Sequence, residues 1–452
     1  MHDAGNRPAA GARCDKPGLA QHQLLPGNLE PMSPPPSPTA LVGMPRRPGI
    51  RLVAWALALL LGLQPVTTDV YLPALPALTR ELGASMASAQ LTMSALILAF
   101  GLGQLFWGPV ADRVGRRPVL LLGLALYTAA SLGSMLAANI ETLIVWRVLQ
   151  GAALAAAVVC ARAMLRDLYE PQQGAHVMSL GLSGLGVIAI AGPLVGGLVA
   201  GAWGWRAALG LVAAMGAATL FFIALRLPET LRNKNPRATA LGPLLATWGR
   251  IARHPTFVAW TLLISFTYGG LFTVLAGSAF VYINVLGLSV QAYGLAMASA
   301  SASYLAGTFV CRRWVARLGM AGAVRRGAVF TLAGGVLGAA LAVGGVQAVW
   351  AVLLPQWLFA FGHGIHQPCG QAGAVGPFPQ AAGAASALAG FVLAATAFGV
   401  GLWLGQALDG RVLPYALGLG FWSVLTAAVA WTLVQRHGQA GTAGAASATG
   451  AT

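Results

Sequence analysis

One carboxyl side chain, Asp69, lies late in an apolar stretch of the sequence that begins near residue 52. Removal from water favours the protonated form of a carboxyl group, and an approaching cation or water favours its ionised form. A carboxyl in such a place can therefore bind and release a proton. The alternative is a helix-end residue at the membrane surface, followed by the turn at Pro73 and Pro76.

A second charged side chain, Arg147, opens a later apolar stretch in the segment RVLQG. A guanidinium inside a membrane helix costs about 2.5–3.5 kcal/mol on insertion scales, so it should face a cavity or a partner. The two stretches are expected to run antiparallel, which places Asp69 and Arg147 in the same half of the membrane. We therefore expect them to pair. The alternative is that Arg147 extends to the nearby interface.

A short basic loop, GPVADRVGRRPVLL, separates the second and third apolar stretches. Gly108 and Gly115 allow sharp backbone turns. Asp112 can accept hydrogen bonds or cap a helix, and Arg113 and Arg116 favour the cytoplasmic side. The spacing of the glycines and the acid favours a conformational latch over a loop that only sets topology.

The fifth apolar stretch contains GVIAIAGPLVGG. Its glycines, Gly186, Gly192, Gly196 and Gly197, make a groove on one helix face, and Pro193 bends the helix. The pattern predicts close helix packing. A generic packing seam is the alternative to a functional motif.

Five further side chains are candidates for a central cavity. His363 and His366 are three positions apart and share a helix face, so they could join a proton path or hold a metal. No acid lies beside them, which favours a packed or cavity-lining role and predicts no metal site. Tyr268, Phe272 and Trp357 line an aromatic cavity or face lipid.

Composition defines the class of protein that positions these residues. Of 452 residues, 57% are hydrophobic and 8% are charged, against about 25% charged in soluble domains. The net charge of +16 comes from bases in short loops, a pattern that sets topology and excludes a nucleic-acid surface. The four cysteines are scattered, so neither a disulfide framework, a zinc site nor another cofactor is expected.

Apolar runs of roughly 20 residues, the length that crosses a bilayer, recur along the chain. They predict an all-α membrane protein of twelve transmembrane helices. We place the spans near 52–76, 89–109, 118–138, 142–165, 177–201, 206–226, 257–282, 291–311, 327–346, 349–370, 383–407 and 413–434. The predicted domains are a disordered tail (1–50), a six-helix bundle (51–226), a basic cytoplasmic linker (227–256), a second six-helix bundle (257–435) and a flexible tail (436–452).

The distribution of bases predicts the orientation. Of 27 Lys and Arg, 22 fall on the predicted cytoplasmic side and 3 on the outer side, which fits the positive-inside rule with both termini cytoplasmic. We expect a monomer in the inner membrane. The basic residues Arg46 and Arg47, followed by the first apolar run, resemble the start of a signal peptide. An uncleaved helix is favoured because no cleavage site follows. Translation could start at Met32 or Met44, both of which lie within the predicted tail.

Together the quoted motifs resemble the Bcr/CflA (bicyclomycin-resistance-type) drug:proton antiporters of the major facilitator superfamily, over about residues 50–435. RAMLRDL, GSAFVYINVLGLS and GPFPQAAGAASAL match that pattern too. The resemblance implies two six-helix bundles, a latch at the loop of Asp112, proton transfer at Arg147 and an exporter's antiporter motif at Gly186–Gly197. The sequence departs from the family pattern at Ala279, where the family commonly has Pro. A second departure is the presence of His363 and His366.

The implied function is proton-coupled efflux of drugs or other small molecules by alternating access. Transport of one endogenous metabolite, outward or inward, is the alternative within the same fold. A membrane enzyme such as an intramembrane hydrolase would need a Ser/His or paired-Asp constellation. The sequence offers one deep acid and no such constellation, so enzyme activity is not expected.

Overall fold

The computed structural model describes residues 48–231 and 233–438, and its regular elements in those ranges are all helical. Residues 1–47, Arg232 and 439–452, which hold Cys14 and most of the predicted tails, lie outside the described residues. Short helical turns at Leu72–Ala74, Phe280–Val285 and Pro379–Ala381 link the main helices. These are α1 (Ile50–Asp69), α2 (Leu75–Glu81), α3 (Met86–Val114), α4 (Arg116–Met135), α5 (Ile140–Leu168), α6 (Pro171–Arg226), α7 (Leu241–Ala252), α8 (Pro255–Ala279), α9 (Val290–Val343), α10 (Val349–Val375), α11 (Ala382–Ala407), α12 (Leu413–Trp431) and α13 (Leu433–His437).

Nine helical segments in the described ranges are long and apolar enough to cross a membrane, against the twelve spans that the sequence predicts. Two of them, His176–Arg226 and Val290–Val343, contain 51 and 54 residues. At 1.5 Å per residue each is roughly 75–80 Å long, more than twice the hydrocarbon thickness. Both break at one glycine with positive φ, Gly204 (φ 81°) and Gly319 (φ 69°). The count of twelve and the side of the termini remain predictions.

Helix α10 is long enough to span a membrane but is not among the nine. Gln356, His363 and His366 lower its mean hydropathy. All three side chains are buried among neighbouring helices. Their polarity is therefore shielded from lipid, and hydropathy alone underestimates such a helix.

The helices pack in two groups that touch each other. Helices α1, α3, α4, α5 and α6 contact one another, and so do α8 to α12, while α3 packs on α11 and α6 on α9. Small residues allow the crossings between the groups, with Gly101 facing Ala394 and Gly197 facing Gly294. The predicted 227–256 linker contains a helix that the sequence analysis did not predict, α7.

The end of α2 is fixed to α6 just beyond the Gly204 break. Glu81 forms an ion pair with Arg206 and accepts a 2.7 Å hydrogen bond from Nε1 of Trp205. The Arg206 guanidinium also lies over the Trp205 ring, 4.1 Å from its centroid. These contacts hold the segment that follows Asp69 against α6.

Candidate functional site

Asp69 is the last residue of α1, yet the membrane segment continues beyond it. The chain passes through the turn at Leu72–Ala74 into α2, and one candidate span covers Ile50–Glu81. Tyr71, Leu72 and Leu75 are fully buried. Asp69 is half-buried, and its Oδ1 accepts a 2.8 Å hydrogen bond from the Thr68 hydroxyl. The carboxyl therefore lies within the protein and not at the end of a span.

The surroundings of Asp69 come from both groups of helices. A Cβ at Gly192 of α6 would lie 3.3 Å from the Asp69 Cβ, so the glycine leaves room for the carboxyl. Tyr268 of α8 and Tyr293 of α9 lie within electrostatic range of the carboxyl. Tyr268 also interacts with Gln64, one turn before Asp69 on α1. Asp69 thus lies where the two groups meet.

Arg147 of α5 is completely buried and is surrounded by neutral acceptors. Its guanidinium donates to Gln150 Oε1 at 2.8 Å, to the Thr67 carbonyl at 3.3 Å and to the Thr92 carbonyl at 3.4 Å. The Tyr71 ring lies against it, with the guanidinium carbon 4.3 Å from the ring centroid. We call Thr67, Tyr71, Thr92 and Gln150 the arginine cage.

Asp69 and Arg147 form no ion pair in the described part of the chain, although the sequence analysis expects one. Arg147 instead binds the Thr67 carbonyl, two residues before Asp69. At about 100° per residue, positions 67 and 69 lie on nearly opposite faces of α1. The Thr67 hydroxyl forms a 2.6 Å hydrogen bond with the Tyr127 hydroxyl of α4. The expected pair rests on membrane depth alone, whereas the contact also depends on the rotation of α1 about its axis.

The glycines of the α6 motif do not share one role. A Cβ at Gly196 would lie 2.5 Å from the Val70 carbonyl oxygen, so this glycine lets α1 approach α6 beside Asp69. A Cβ at Gly197 would lie 2.9 Å from the Val290 carbonyl oxygen on α9. One glycine packs within a group and the next packs between the groups.

Two further positions of the α6 motif, Pro193 and Gly186, differ in how closely they are packed. A Cβ at Gly294 of α9 would lie 2.6 Å from the Pro193 carbonyl oxygen, which is one more backbone approach between α6 and α9. A Cβ at Gly186 would meet only the Leu305 side chain, at 3.6 Å. The groove is therefore tight at Gly192–Gly197 and loose at Gly186.

A cluster of polar side chains that the sequence analysis missed lies beyond the tyrosines near Asp69. Gln356 Oε1 accepts hydrogen bonds from the Tyr282 hydroxyl at 3.0 Å and the Tyr415 hydroxyl at 3.2 Å. The Tyr293 hydroxyl bonds Ser278 at 2.9 Å. These residues come from distant parts of the chain, so no local spacing could have identified them.

Hydrogen bonds from Gln90 and Arg162 connect the groups directly. Gln90 Nε2 of α3 donates to the Ala276 carbonyl of α8 at 2.8 Å. Arg162 of α5 donates to the Ser386 hydroxyl of α11 at 2.8 Å. The sequence analysis quoted Arg162 within a motif but did not assign it a partner.

The structure separates His363 and His366, which the sequence places on one face. His363 Nδ1 lies 3.0 Å from the Thr267 hydroxyl on α8, and its ring stacks on Phe359. His366 Nε2 lies 3.1 Å from the Thr331 hydroxyl on α9. No group of three potential metal ligands occurs among the described residues. Both histidines are packed inside the second group.

The three candidate cavity aromatics occupy different environments. Tyr268 is buried beside Asp69 and stacks with the fully buried Phe272, with ring centroids 6.5 Å apart. Trp357 is 37% exposed and donates to the Ser299 hydroxyl at 2.9 Å. Of the three, Tyr268 is the one that the structure brings to Asp69.

The loop between α3 and α4 is a network of charges. Asp112 and Arg116 form an ion pair at 2.5 Å, and Arg116 also binds Asp167 at the end of α5 at 3.1 Å. Gly115 has φ 126°, a left-handed conformation that glycine adopts without strain. Gly108, by contrast, lies within α3, and a Cβ there would meet only Val159, at 3.8 Å.

Glu229, which the sequence analysis did not select, completes this network. Its carboxylate accepts hydrogen bonds from the backbone N–H groups of Arg116 and Arg117, at 3.0 and 3.1 Å, and caps the start of α4. The linker adds a 2.8 Å bond from Arg113 to the Thr239 hydroxyl. The loop is thus connected to α5 and to the linker.

Sequence comparison adds known relatives. The profile of the Major Facilitator Superfamily matches residues 57–402. Multidrug resistance protein D of Escherichia coli K12 is 32% identical over 334 residues, covering 74% of this chain and 83% of that protein. A chloramphenicol resistance protein of Pseudomonas aeruginosa is 30% identical, covering 71% and 75%. A bicyclomycin resistance protein homologue of Haemophilus influenzae is 28% identical, covering 77% and 87%.

Solved structures share the fold at low identity. A D-xylose–proton symporter has a TM-score of 0.67 and 16% identity, covering 85% of this chain and 96% of that chain. A bacterial homologue of the human lysosomal transporter Spinster, inward-facing and occupied, has a TM-score of 0.66 and 15% identity, covering 86% and 97%. At such identities the likeness describes the arrangement of helices alone.

Proposed function

Because this chain belongs to the major facilitator superfamily and is a membrane transporter and not an enzyme, we propose that it exports small molecules in exchange for protons. The observation that carries the proposal is the position of Asp69. Its carboxyl lies half-buried at the meeting of the two helix groups and has no ion-pair partner among the described residues. Relatives named for multidrug, chloramphenicol and bicyclomycin resistance support the direction of transport.

In this proposal Asp69 exchanges its proton during the transport cycle. A proton from the outer side neutralises the carboxyl and weakens its attraction for a cationic or polar substrate. The substrate then leaves outward, and loss of the proton to the cytoplasm restores the binding state. Tyr268 and Tyr293, near the carboxyl, supply aromatic contacts and hydroxyls for substrate.

Arg147 has an indirect role in this mechanism. Its bond to the Thr67 carbonyl holds the end of α1, and its charge is balanced by the dipoles of the arginine cage. We propose that Arg147 positions Asp69 through α1. The proposal replaces the direct pair that the sequence analysis expects.

Alternating access requires contacts between the groups that break and re-form. We assign this role to the close approach of α6 and α9 at Gly197 and Gly294, and to the Gln90 and Arg162 hydrogen bonds. The Asp112–Arg116–Asp167 network acts as the latch on the cytoplasmic side. We count twelve spans, with two each in α6 and α9. An even number of spans places both termini on the same side of the inner membrane, and the basic loops make that side the cytoplasmic one.

The test is transport by an Asp69→Asn variant reconstituted in vesicles with an imposed pH gradient. Asparagine keeps the size and polarity of the side chain but cannot titrate, so gradient-driven efflux should be lost while the protein remains folded. Asp409→Asn is the matched control because Asp409 pairs with Arg411 in an exposed loop. Wild-type gradient-driven efflux by the Asp69→Asn variant would refute the role of Asp69.

The range of substrates is measured separately. Expression in a host without its own efflux pumps should raise resistance to several structurally unrelated compounds. A single transported metabolite would support the narrower alternative, and the proton mechanism would still stand.

A further inference from the structure

The linker helix α7 carries an apolar stripe along its whole length. Leu241, Leu244, Leu245, Trp248 and Ile251 follow one another at intervals of three, one, three and three residues. Such spacing places all five on one face of an α-helix. The helix is therefore amphipathic, although it lies in a linker that is otherwise polar and basic.

The protein covers only one edge of this stripe. Ile251 is buried, and α7 contacts α8 and α11. Leu241 and Leu245, on the other edge, are 74% and 60% exposed. Two exposed leucines on one face, with the partly buried Trp248 beside them, indicate a surface that contacts a further apolar medium.

The charged side chains described on α7 and on the chain segments directly before and after it are all basic. Lys234 and Arg237 precede the helix, and Arg250 and Arg253 lie at its end, all four exposed. The sequence contains no Asp or Glu from residue 230 to residue 408. Basic residues beside an apolar stripe complement a layer of anionic lipid headgroups over hydrocarbon.

The chain also keeps α7 close to the bilayer. The helix ends at Ala252 and α8, a candidate membrane span, begins at Pro255. Only two residues separate them, and they extend over at most about 7 Å. The end of α7 therefore stays at the boundary where α8 enters the membrane.

We propose that α7 binds anionic phospholipid of the surrounding bilayer, with Leu241 and Leu245 in the headgroup–hydrocarbon boundary and the bases on the lipid phosphates. The site is independent of the proton mechanism and of Asp69. It also adjoins the latch, because Asn235 N–H donates to the Asp112 carbonyl at 3.0 Å and Arg113 bonds Thr239. Lipid binding at α7 thus fixes the segment that contacts the loop of Asp112.

The test places an environment-sensitive fluorophore on the full-length protein. The label is attached at Leu245→Cys after Cys14→Ser, in nanodiscs that hold one protein molecule, and the three other native cysteines are buried. In an equimolar mixture of phosphatidylglycerol and phosphatidylcholine we expect a blue shift of emission relative to phosphatidylcholine alone. The matched control is a label at Ala246→Cys, which is exposed on the polar side of α7 and should not shift.

The charge dependence is measured with Arg250→Gln and Arg253→Gln combined. Each base near an anionic surface strengthens binding about fivefold, so the phosphatidylglycerol fraction for half-maximal shift should rise several-fold. High salt should have the same effect. Equal emission in the two lipid compositions at Leu245→Cys would overturn the proposal. A shift that appears only when two protein molecules share a bilayer would overturn it in favour of a contact between copies.

Discussion

The charged side chains of Arg147 and Asp69 differ in the number of hydrogen bonds that they form. Arg147 donates to two backbone carbonyls and a glutamine, and an aromatic ring covers its guanidinium. Asp69 accepts one side-chain hydrogen bond, from its neighbour Thr68. A fully satisfied cation is a fixed structural element. A carboxyl with few partners is free to change its protonation, which is the property that the proposed proton exchange needs.

The arginine cage gives a prediction for Arg147. Replacement by Ala leaves the buried Gln150 oxygen without its donor, at a cost of about 1–3 kcal/mol, and removes one hydrogen bond from each of the Thr67 and Thr92 carbonyls. We expect Arg147→Ala to lower the melting temperature in detergent and to abolish transport.

Arg147→Lys is the matched comparison. Lysine keeps the charge but cannot reach several acceptors with a planar fork, so intermediate stability and partial transport are expected. If Arg147→Ala melted and transported like the wild type, the cage would have no structural role.

Glycines on α6 show how a helix can serve two contacts at once. Gly196 admits the backbone of Val70, and Gly197 admits the backbone of Val290. Neighbouring positions differ by about 100° around the axis, so consecutive glycines open two different faces. The result is a helix that holds α1 on one side and meets α9 on the other.

This geometry predicts different outcomes for two alanine substitutions on α6. Gly196→Ala places a methyl group 2.5 Å from the Val70 carbonyl oxygen, which backbone cannot avoid easily. We expect a loss of about 1–3 kcal/mol of stability and reduced transport.

Gly186→Ala is the control, since its methyl group would meet only a side chain at 3.6 Å. Both variants are compared by melting temperature and by efflux rate. Equal behaviour of the two would mean that α1 and α6 are less tightly packed than described.

The start of α4 supplies a second prediction at the scale of one element. Glu229→Ala removes the acceptor for the N–H groups of Arg116 and Arg117 and should cost about 1 kcal/mol, as other helix caps do. Glu170→Ala is the comparison, because Glu170 precedes α6 without a side-chain cap bond. The melting temperature should fall for the first variant and stay within error for the second. A fall of equal size in both would argue against the cap.

At the scale of the whole molecule, the proposed alternating access requires contacts that are close in one state and open in another. Just before the Gly204 break in α6, a Cβ at Gly201 would overlap the flexible Gln291 side chain of α9. Both positions are exposed, so cysteines placed there would be accessible to an oxidant. They lie where the two helix groups meet.

A cross-link there tests alternating access. In Gly201→Cys with Gln291→Cys, the long side chain is gone and the two thiols can form a disulfide on mild oxidation. Transport should stop after oxidation and return after reduction.

Gly201→Cys with Ala292→Cys is the control because Ala292 points away by about 100°. It also accounts for oxidation of the native Cys311 and Cys369, whose sulfur atoms are 3.5 Å apart. Full transport by the cross-linked pair would exclude movement of α6 against α9 in the cycle.

Several features were predictable from the sequence because they depend on local pattern. The apolar runs require lipid around them, and the bases in short loops indicate orientation. The spacing from Gly108 to Arg116 identified the charged loop, in which Asp112 and Arg116, four positions apart, form an ion pair across the helix break at Gly115. Those signals depend on residues close in sequence, where covalent geometry already limits the arrangement.

The tertiary structure decided which side chains meet. Rotation about α1 separates Asp69 from Arg147, which binds the Thr67 carbonyl instead, and leaves the carboxyl within electrostatic range of Tyr268 and Tyr293. The partners of Gln356 lie 59 and 74 positions away along the chain. Composition determines whether a helix lies in lipid or in water. Packing against neighbours far away in sequence determines the rotation of the helix about its own axis. The sequence alone therefore determined the membrane class and the candidate residues, and only the folded arrangement determined their partners.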